Sequence, residues 1–256
     1  TKVCRYEPNV LEMFDWTYDR TLKAIDEALE RIGVSYLDTI QVHDPEFAPS
    51  LDVVVHNVFK AFLKAKEEGK VRMLGVTGYP LDILRRQIEM AEAEGIEINT
   101  CLSYSHYNLH DVSLVSDLVP FLNEKGVGLI GASPISMGLL SNRGPPKWHP
   151  APELLKNLAA EAAEYCVKND VDIGRLCMQF SLQEPSIPTT LVSTKTLDRF
   201  RENLRHVHEL GKLTAKEQNV LTHIRNNIFG PHGDLDWVGI EVQKYWRKMD
   251  EARKGG

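Results

Sequence analysis

The chain has 256 residues, 43% hydrophobic and 26% charged, which is the composition of an ordinary globular protein and argues against disorder. Its net charge of -6 leaves no broad basic surface for nucleic acid or an anionic membrane, no apolar run is long enough to cross a bilayer, and the first residues lack a signal-peptide core. We therefore expect a cytoplasmic protein that binds neither nucleic acid nor membrane.

Short β-like runs alternate with longer amphipathic patterns along most of the chain, which predicts a parallel sheet built from βα units. The predicted strands are 1–5, 39–43, 71–76, 98–103, 127–132 and 189–193. The predicted helices are 17–32, 51–68, 81–93, 112–125, 152–168, 173–183 and 197–210. This order indicates one α/β domain over residues 1–256.

Two segments depart from this regular order. A long stretch containing SNRGPPKWHPAP precedes the last strand, and we expect a surface loop there that could act as a substrate lid. From about Thr214 a tail begins with a capped helix and then loses its periodicity. The four cysteines form no CxxC pair, so we expect reduced, mostly buried thiols and no metal site.

The segment IPTTLVSTKTLDRFRENL runs from an apolar strand through a polar turn into a charged helix. Backbone N–H groups at such a helix start attract phosphate. The side chains that could assist are Ser193, Thr194, Lys195 and Arg199 at the helix start, with Glu202 and Asn203 for an adenine edge. An ordinary capped helix with a solvated face is an equally good interpretation of this segment alone.

Four segments together, LERIGVSYLDTIQVHDP, EEGKVRMLGVTGYP, KGVGLIGASPISMGLL and IPTTLVSTKTLDRFRENL, closely resemble the aldo-keto reductases. The stretches KVCRYEPN, QVHDPEFAPS, LSYSHYNL and RGPPKWHPA resemble the branch of dehydrogenases for L-galactose and L-fucose (D-threo-aldose). The resemblance implies a (β/α)8 barrel of the TIM type that binds NAD or NADP at the carboxyl ends of its strands. It also implies oxidation of the C1 hydroxyl of an aldose to the lactone, or a related carbonyl reaction.

Members of the family use an Asp, a Tyr, a Lys and a His in catalysis. Lys2 in TKVCRY matches the lysine, and His43 in QVHDP matches the histidine. Proton transfer by a Tyr needs a phenol pKa well below about 10, which a neighbouring ammonium provides. A neutral His orients the substrate oxygen.

Further positions match cofactor or substrate contacts of the family. Thr77 matches a contact to the nicotinamide carboxamide, although Gly78 stands where many members have Asn, and Tyr104 lies near a supporting position. The loop that wraps the pyrophosphate is matched by Ser133, Ile135, Met137, Gly138 and Leu139. Ser193 replaces a lysine that accompanies Arg199 in NADP-preferring members, which slightly favours NAD. Trp148 and His149 are candidates to close over a sugar.

The chain begins at Thr1, already within a predicted strand, and the Asp and Tyr of the family belong to a segment upstream of that residue. We therefore expect a barrel truncated to about six βα units, with two open sheet edges and little turnover. The alternatives are a noncatalytic dinucleotide-binding sensor or scaffold and, less favoured, a phosphate-binding barrel isomerase with Asp44 as its base.

Overall fold

The computed structural model describes residues 1–254 and contains a six-stranded sheet whose strands follow one another in chain order. The strands are β1 (Lys2–Val3), β2 (Leu37–His43), β3 (Val71–Gly78), β4 (Thr100–Tyr104), β5 (Gly128–Ala132) and β6 (Thr190–Leu191). The pairs β1–β2, β2–β3 and β5–β6 are parallel. All six predicted strands are therefore confirmed, most of them with bounds shifted by one or two residues.

Helices separate the strands as the apolar periodicity predicts. They are α1 (Tyr18–Ile32), α2 (Leu51–Val53), α3 (Lys60–Glu67), α4 (Leu81–Ala93), α5 (Val119–Lys125), α6 (Glu153–Lys168), α7 (Ile173–Leu182), α8 (Leu197–His208), α9 (Ala215–His223) and α10 (Ile240–Lys254). Thr17 caps α1 by accepting a hydrogen bond from the Arg20 N–H. Among the described helices, none is both long and apolar enough to span a membrane.

Three helical stretches widen into π-helical turns, at Val54–Phe59, Leu114–Leu118 and Ile224–Phe229. The first connects α2 to α3, so the predicted helix 51–68 exists as one run with a wider middle. Short 3₁₀ turns lie at Pro45–Phe47, Ser136–Gly138 and Gly230–His232. The turns at 45–47 and 136–138 each follow the carboxyl end of a strand, where residues that bind ligands are commonly found in parallel sheets.

The strand register puts several polar side chains on one face of the sheet. Lys2 is paired with Gln41 and His43 with Thr77. Because side chains alternate along a strand and registered neighbours point the same way, these four residues share a face. The intervening Val42 lies on the opposite face and is fully buried.

The described residues form two compact units. The first comprises residues 1–102, 120–129 and 238 onward, and its fully buried side chains include Ile25, Ile40, Phe59, Phe62 and Leu74. The second comprises residues 103–119 and 130–237, and its fully buried side chains include Leu109, Leu114, Leu118, Phe229 and Trp237. Each unit therefore has an apolar core of its own.

One prediction about the C-terminal part of the chain needs correction. The tail does begin with a helix, α9, which carries a capping box between Thr214 and Glu217, but the sequence analysis missed α10. This last helix is mostly polar, and only Tyr245 and Met249, one turn apart, are buried on it. Helix α8 likewise buries only His206, while its large apolar side chains remain exposed.

Candidate active-site residues

Lys2 and His43 lie on the shared sheet face of the first unit, near the carboxyl ends of β1 and β2. Both side chains are partly buried. Desolvation lowers the pKa of the Lys2 ammonium, and the negative charge of Asp44 acts in the opposite direction. Desolvation also lowers the pKa of His43. The negative charge of Asp44 raises this pKa, whereas the positive charges of Lys2 and Arg5 lower it, and the imidazole is neutral at pH 7.

Asp44 and Arg5 follow these two strands and form an ion pair of 2.6 Å between Arg5 Nη1 and Asp44 Oδ2. Asp44 Oδ2 also lies 3.6 Å from His43 Nε2. The backbone of Asp44 is left-handed, with φ of 57°, and its N–H donates to the Thr77 carbonyl at 2.7 Å. A non-glycine residue held in this conformation beside polar side chains is typical of functional sites. From the motif QVHDP, the sequence predicts His43 as a catalytic residue and Asp44 only as the base of the less favoured isomerase.

Thr77 is buried at the end of β3 and donates its hydroxyl to Gln41 Oε1 at 2.8 Å. Gln41 in turn donates from Nε2 to Thr100 Oγ1 at 3.1 Å. The Thr77 oxygen keeps its lone pairs, so it can accept a hydrogen bond from a carboxamide but has no free proton to donate. No local pattern in the sequence predicts this chain of three polar side chains, because they belong to three different strands.

Glu46 was missed by the sequence analysis and lies next to the Thr77 turn. Its Oε1 accepts from the Tyr79 N–H at 3.0 Å, whereas its buried Oε2 has no hydrogen-bond partner among residues 1–254. A Cβ on Gly78 would lie only 2.7 Å from this Oε2. Desolvation, and then the charge of Asp44, raise the pKa of Glu46 to about 8. The Glu46 carboxyl therefore occupies the space that a side chain at position 78 would need.

In the second unit, the loop after β5 has an unusual backbone. Ser133, Ser136 and Met137 have φ of 63°, 47° and 54°, and Gly138 has φ of 92°. Ser133 Oγ accepts from the Met137 N–H at 2.8 Å, and the Gly138 N–H bonds to the Ile135 carbonyl at 3.0 Å. These N–H groups are therefore used within the loop.

The side chains of this loop differ in exposure. Ile135 is exposed, whereas Leu139 is fully buried and its N–H bonds to the Ser136 carbonyl at 3.0 Å. Leu139 therefore supports the loop from the core. Its match to a cofactor contact of the family stays a prediction.

Two buried histidines form hydrogen bonds with Ser136, one with its hydroxyl and one with its carbonyl. His110 Nε2 lies 2.7 Å from Ser136 Oγ, and His110 Nδ1 lies 2.7 Å from the Leu235 carbonyl. Since a carbonyl only accepts, His110 carries its proton on Nδ1 and accepts the Ser136 hydroxyl proton at Nε2. Desolvation lowers the pKa of His110 to about 4, which keeps this tautomer neutral.

His149 is buried beside Ser136 and does not face a substrate. Its Nε2 donates to the Ser136 carbonyl at 2.9 Å, and its Nδ1 accepts from the Ala151 N–H at 3.1 Å. Trp148 is 61% exposed and stacks on His149 with a centroid distance of 6.2 Å. Of the two predicted lid residues, only Trp148 is therefore available to a ligand.

Tyr104 is half-buried at the end of β4, next to Ser105, whose φ is 59°. The polar residues that follow it are largely committed to one another. His106 Nδ1 lies 2.8 Å from Asp111 Oδ2, and Asn108 Oδ1 accepts from the His110 N–H at 2.9 Å. This arrangement stabilises the turn and leaves Tyr104 as the site candidate in this segment.

The turn before α8 is exposed at Ser193, Thr194 and Lys195, as the phosphate-grip interpretation requires. Thr196 caps the 12-residue helix by accepting from the Arg199 N–H at 3.3 Å. Arg199 is exposed and paired with Glu202 at 2.9 Å. Asn203 is half-buried. These residues fit a phosphate at a helix start, although Glu202 is already engaged by Arg199.

His206 is buried on α8. It is close to Asp172 and Glu202, whose oxygens lie within 4.8 Å of a His206 ring nitrogen and of each other. Burial lowers the pKa of His206, although the negative charges of the two carboxylates raise it. Nothing beyond proximity indicates an ion at these three residues.

Comparisons with known proteins bear on the family of this chain. A model described as "Aldo/keto reductase family" matches residues 1–226. L-galactose dehydrogenase from Arabidopsis thaliana is 39% identical over 237 residues, which cover 93% of this chain and 71% of that protein. D-arabinose 1-dehydrogenase from Saccharomyces cerevisiae is 26% identical over 235 residues, covering 88% of this chain and 70% of that protein.

A solved structure, the holo form of an aldo-keto reductase from Bacillus halodurans, superposes with a TM-score of 0.57. It is 20% identical and covers 87% of this chain and 70% of that one. The likeness shows that the two share an α/β fold of the TIM-barrel type. On the family match and the identity to its relatives, this chain belongs to the aldo/keto reductase family and is an oxidoreductase.

Proposed function

We propose that this protein oxidises the C1 hemiacetal hydroxyl of an aldose to the lactone, with NAD or NADP as hydride acceptor. The observation that carries the proposal is the common sheet face of Lys2 and His43 at the ends of β1 and β2. The similarity to L-galactose dehydrogenase and D-arabinose 1-dehydrogenase supports a sugar as the substrate. When bound, the nicotinamide ring accepts the hydride that leaves C1.

In this proposal His43 orients the sugar oxygen. Its imidazole is neutral because burial lowers its pKa, so it can donate one hydrogen bond without carrying a charge. A neutral donor holds the C1 oxygen in place and strengthens as negative charge develops there. Asp44 Oδ2, 3.6 Å from Nε2, limits the positions that the ring can take.

Lys2 supplies positive charge for the proton transfer. Its partly buried ammonium forms no ion pair within 4 Å among residues 1–254, so its field is not cancelled by direct contact. A charge in this position favours the deprotonated form of the sugar hydroxyl beside it, whose proton passes to water as the hydride leaves C1. The lowered pKa of Lys2 means that this effect weakens at alkaline pH.

Side chains at the start of α8 support a preference between the two cofactors. Arg199 offers a guanidinium to a 2'-phosphate, but it is already paired with Glu202. Ser193 provides no second positive charge there. We therefore propose NAD as the preferred cofactor. Ser193, Thr194 and Lys195 would contact its phosphates, and Asn203 its adenine.

Binding and product formation test the proposal together. NADH and NADPH are titrated against the protein by fluorescence, and L-galactose with NAD is then incubated at high protein concentration and assayed for lactone. We expect saturable dinucleotide binding, tighter for NADH, and lactone in an amount equal to the NADH formed. The low turnover expected from the sequence stays a prediction, which the same assay measures.

Failure to bind either dinucleotide would contradict the proposal outright. A second outcome is that the protein binds a dinucleotide and reduces simple aldehydes but does not oxidise the sugar. This result would be consistent with an oxidoreductase and would exclude the aldose as its substrate.

A further inference from the structure

The proposed reaction uses Asp44 beside His43 but gives no role to Arg5, with which Asp44 is paired. Each comes just after the strand that carries Lys2 or His43, and each is joined to the other by the 2.6 Å contact between Nη1 and Oδ2. Asp44 is only 2% exposed at its side chain, whereas Arg5 is 41% exposed. The pair is thus fixed at its carboxylate end and open at its guanidinium end.

Burying the Asp44 carboxylate is costly, and its left-handed backbone adds to that cost. One oxygen, Oδ1, is buried and has no hydrogen-bond partner within the described chain. An apolar residue would avoid the cost of burying a charge. A buried, incompletely bonded carboxylate beside His43 therefore indicates a role in ligand recognition.

Most of the Arg5 N–H donors are not used in the hydrogen bond to Asp44. A guanidinium carries five N–H groups in a planar fork, and the hydrogen bond to Asp44 uses one of them. The guanidinium carbon lies 5.7 Å from the centroid of the Phe14 ring, which limits its movement. The fork is therefore held in place from two sides and partly open to solvent.

Aromatic side chains keep Phe14 in position beneath Arg5. Phe14 stacks on Phe47 at 4.9 Å and on Trp16 at 5.3 Å, and the Tyr245 ring meets it edge-on at 5.4 Å. Phe47 belongs to the turn directly after Asp44. The strand ends that carry Lys2 and His43 therefore continue into one rigid cluster that includes Arg5.

The charge of the pair indicates the class of ligand. Asp44 offsets the positive charge of Arg5, so the exposed guanidinium offers hydrogen-bond donors with little net charge around it. A neutral sugar hydroxyl can accept from such donors, whereas a carboxylate or phosphate would also bring a negative charge close to Asp44. This balance favours the neutral ring hydroxyls of a sugar over an anionic group.

We propose that Arg5, held by Asp44, is a specificity-determining residue that binds the ring hydroxyls of a neutral aldose. The proposal rests on the proposed function, because it concerns the substrate of the same site. It makes Arg5 the reason why a polyhydroxylated substrate is bound better than an apolar carbonyl compound.

The test compares Arg5→Gln with Arg20→Gln, a matched control. Arg20 also lies over an aromatic ring, Tyr6 at 3.8 Å, and is also paired with a carboxylate, Glu27 at 3.2 Å, but it belongs to α1. Each variant is titrated with NADH by fluorescence, then with L-galactose in the presence of NAD and with benzaldehyde in the presence of NADP by calorimetry.

Loss of charge-assisted hydrogen bonds predicts that Arg5→Gln weakens L-galactose binding by about ten- to a hundredfold. Benzaldehyde and NADH affinities should stay within about twofold, and Arg20→Gln should change none of the three. Equal weakening for both carbonyl compounds, or unchanged L-galactose binding, would overturn the proposal while leaving the proposed function intact. Absence of dinucleotide binding in the wild type would overturn both.

Arg5→Lys keeps the inference testable if Arg5→Gln does not fold. A lysine preserves the charge opposite Asp44 but lacks the planar fork. We expect L-galactose affinity to fall at least severalfold while the melting temperature stays near the wild-type value. Full retention of sugar affinity in this variant would show that the fork is not used.

Discussion

His110 Nε2 accepts the hydroxyl proton of Ser136 across 2.7 Å, and both residues are buried. The bond links the turn after β4 to the left-handed loop after β5, within the second unit. Leu235, on the segment before α10, fixes the other nitrogen of the same ring. The conformation of the loop therefore depends on a residue more than 20 positions away in sequence.

Replacing Ser136 with Ala should destabilise the protein by about 1–3 kcal/mol, because His110 Nε2 would remain buried without a partner. The loop should also become less ordered, and NADH should bind more weakly if the loop contacts the pyrophosphate. Urea denaturation and fluorescence titration measure the two effects. Ser141→Ala, which removes a hydroxyl bonded to the Gly138 carbonyl at 2.7 Å, is the control for a simple loss of a loop hydrogen bond.

Glu46 should make stability fall as the pH rises. Its pKa is raised to about 8 by burial and by Asp44, so between about pH 4.5 and 8 the unfolded state loses a proton that the folded state keeps. Stability is then lost across that interval and levels off above it. Glu46→Gln, which can still accept from the Tyr79 N–H, should flatten this dependence.

Melting temperatures from pH 5 to pH 9 test this prediction. The charged groups that act on Glu46 are Asp44 and Glu241, and both remain in the variant. Parallel curves for wild type and variant would mean that Glu46 ionises normally.

Replacing Arg199 with Ala should weaken NADPH binding by about five- to tenfold and NADH binding much less, since only NADPH carries the extra phosphate. Arg201→Ala is a close control, because Arg201 is on the same helix, is 68% exposed and pairs with Asp198 at 3.6 Å. Ser193→Lys should shift preference toward NADPH. Equal losses for both cofactors in Arg199→Ala would argue that the residue contacts a shared phosphate instead.

Lys2→Met and His43→Gln should each lower the rate of sugar oxidation by about a hundredfold or more, because each removes a group proposed to act on the proton or oxygen at C1. NADH affinity should remain within about threefold of the wild-type value. Single-turnover rates together with NADH titration separate the two effects. Wild-type rates in both variants would show that neither residue takes part in the oxidation step.

The sequence predicted the strand ends well because βα units leave a strong local pattern. The apolar runs of β2 and β3, together with glycines such as Gly33 and Gly69 after helices, fix where each element begins and ends. Lys2 and His43 were found through family motifs, and the register then put them on one face. The motifs are local, whereas the register is a contact between residues distant in sequence that only the structure shows.

The features that were missed all depend on long-range packing. Helix α10 has only two buried side chains, so its polar composition gave little periodicity to detect. The burial of His149 and His206 depends on contacts with Ser136 and with α7, which no local pattern records. The Arg5–Asp44 pair joins positions 39 residues apart. A single sequence contains all of these residues, but it does not show which of them come into contact.

Positions 46 and 78 are too close for both to carry a long side chain, since a Cβ on Gly78 would lie 2.7 Å from Glu46 Oε2. Natural or laboratory variants that gain a side chain at 78 should therefore also carry a shorter residue at 46, and the two sites should change together across a set of homologues. Any redesign of this turn has to treat them as a unit, because a change at either one alone leaves a collision or an empty space.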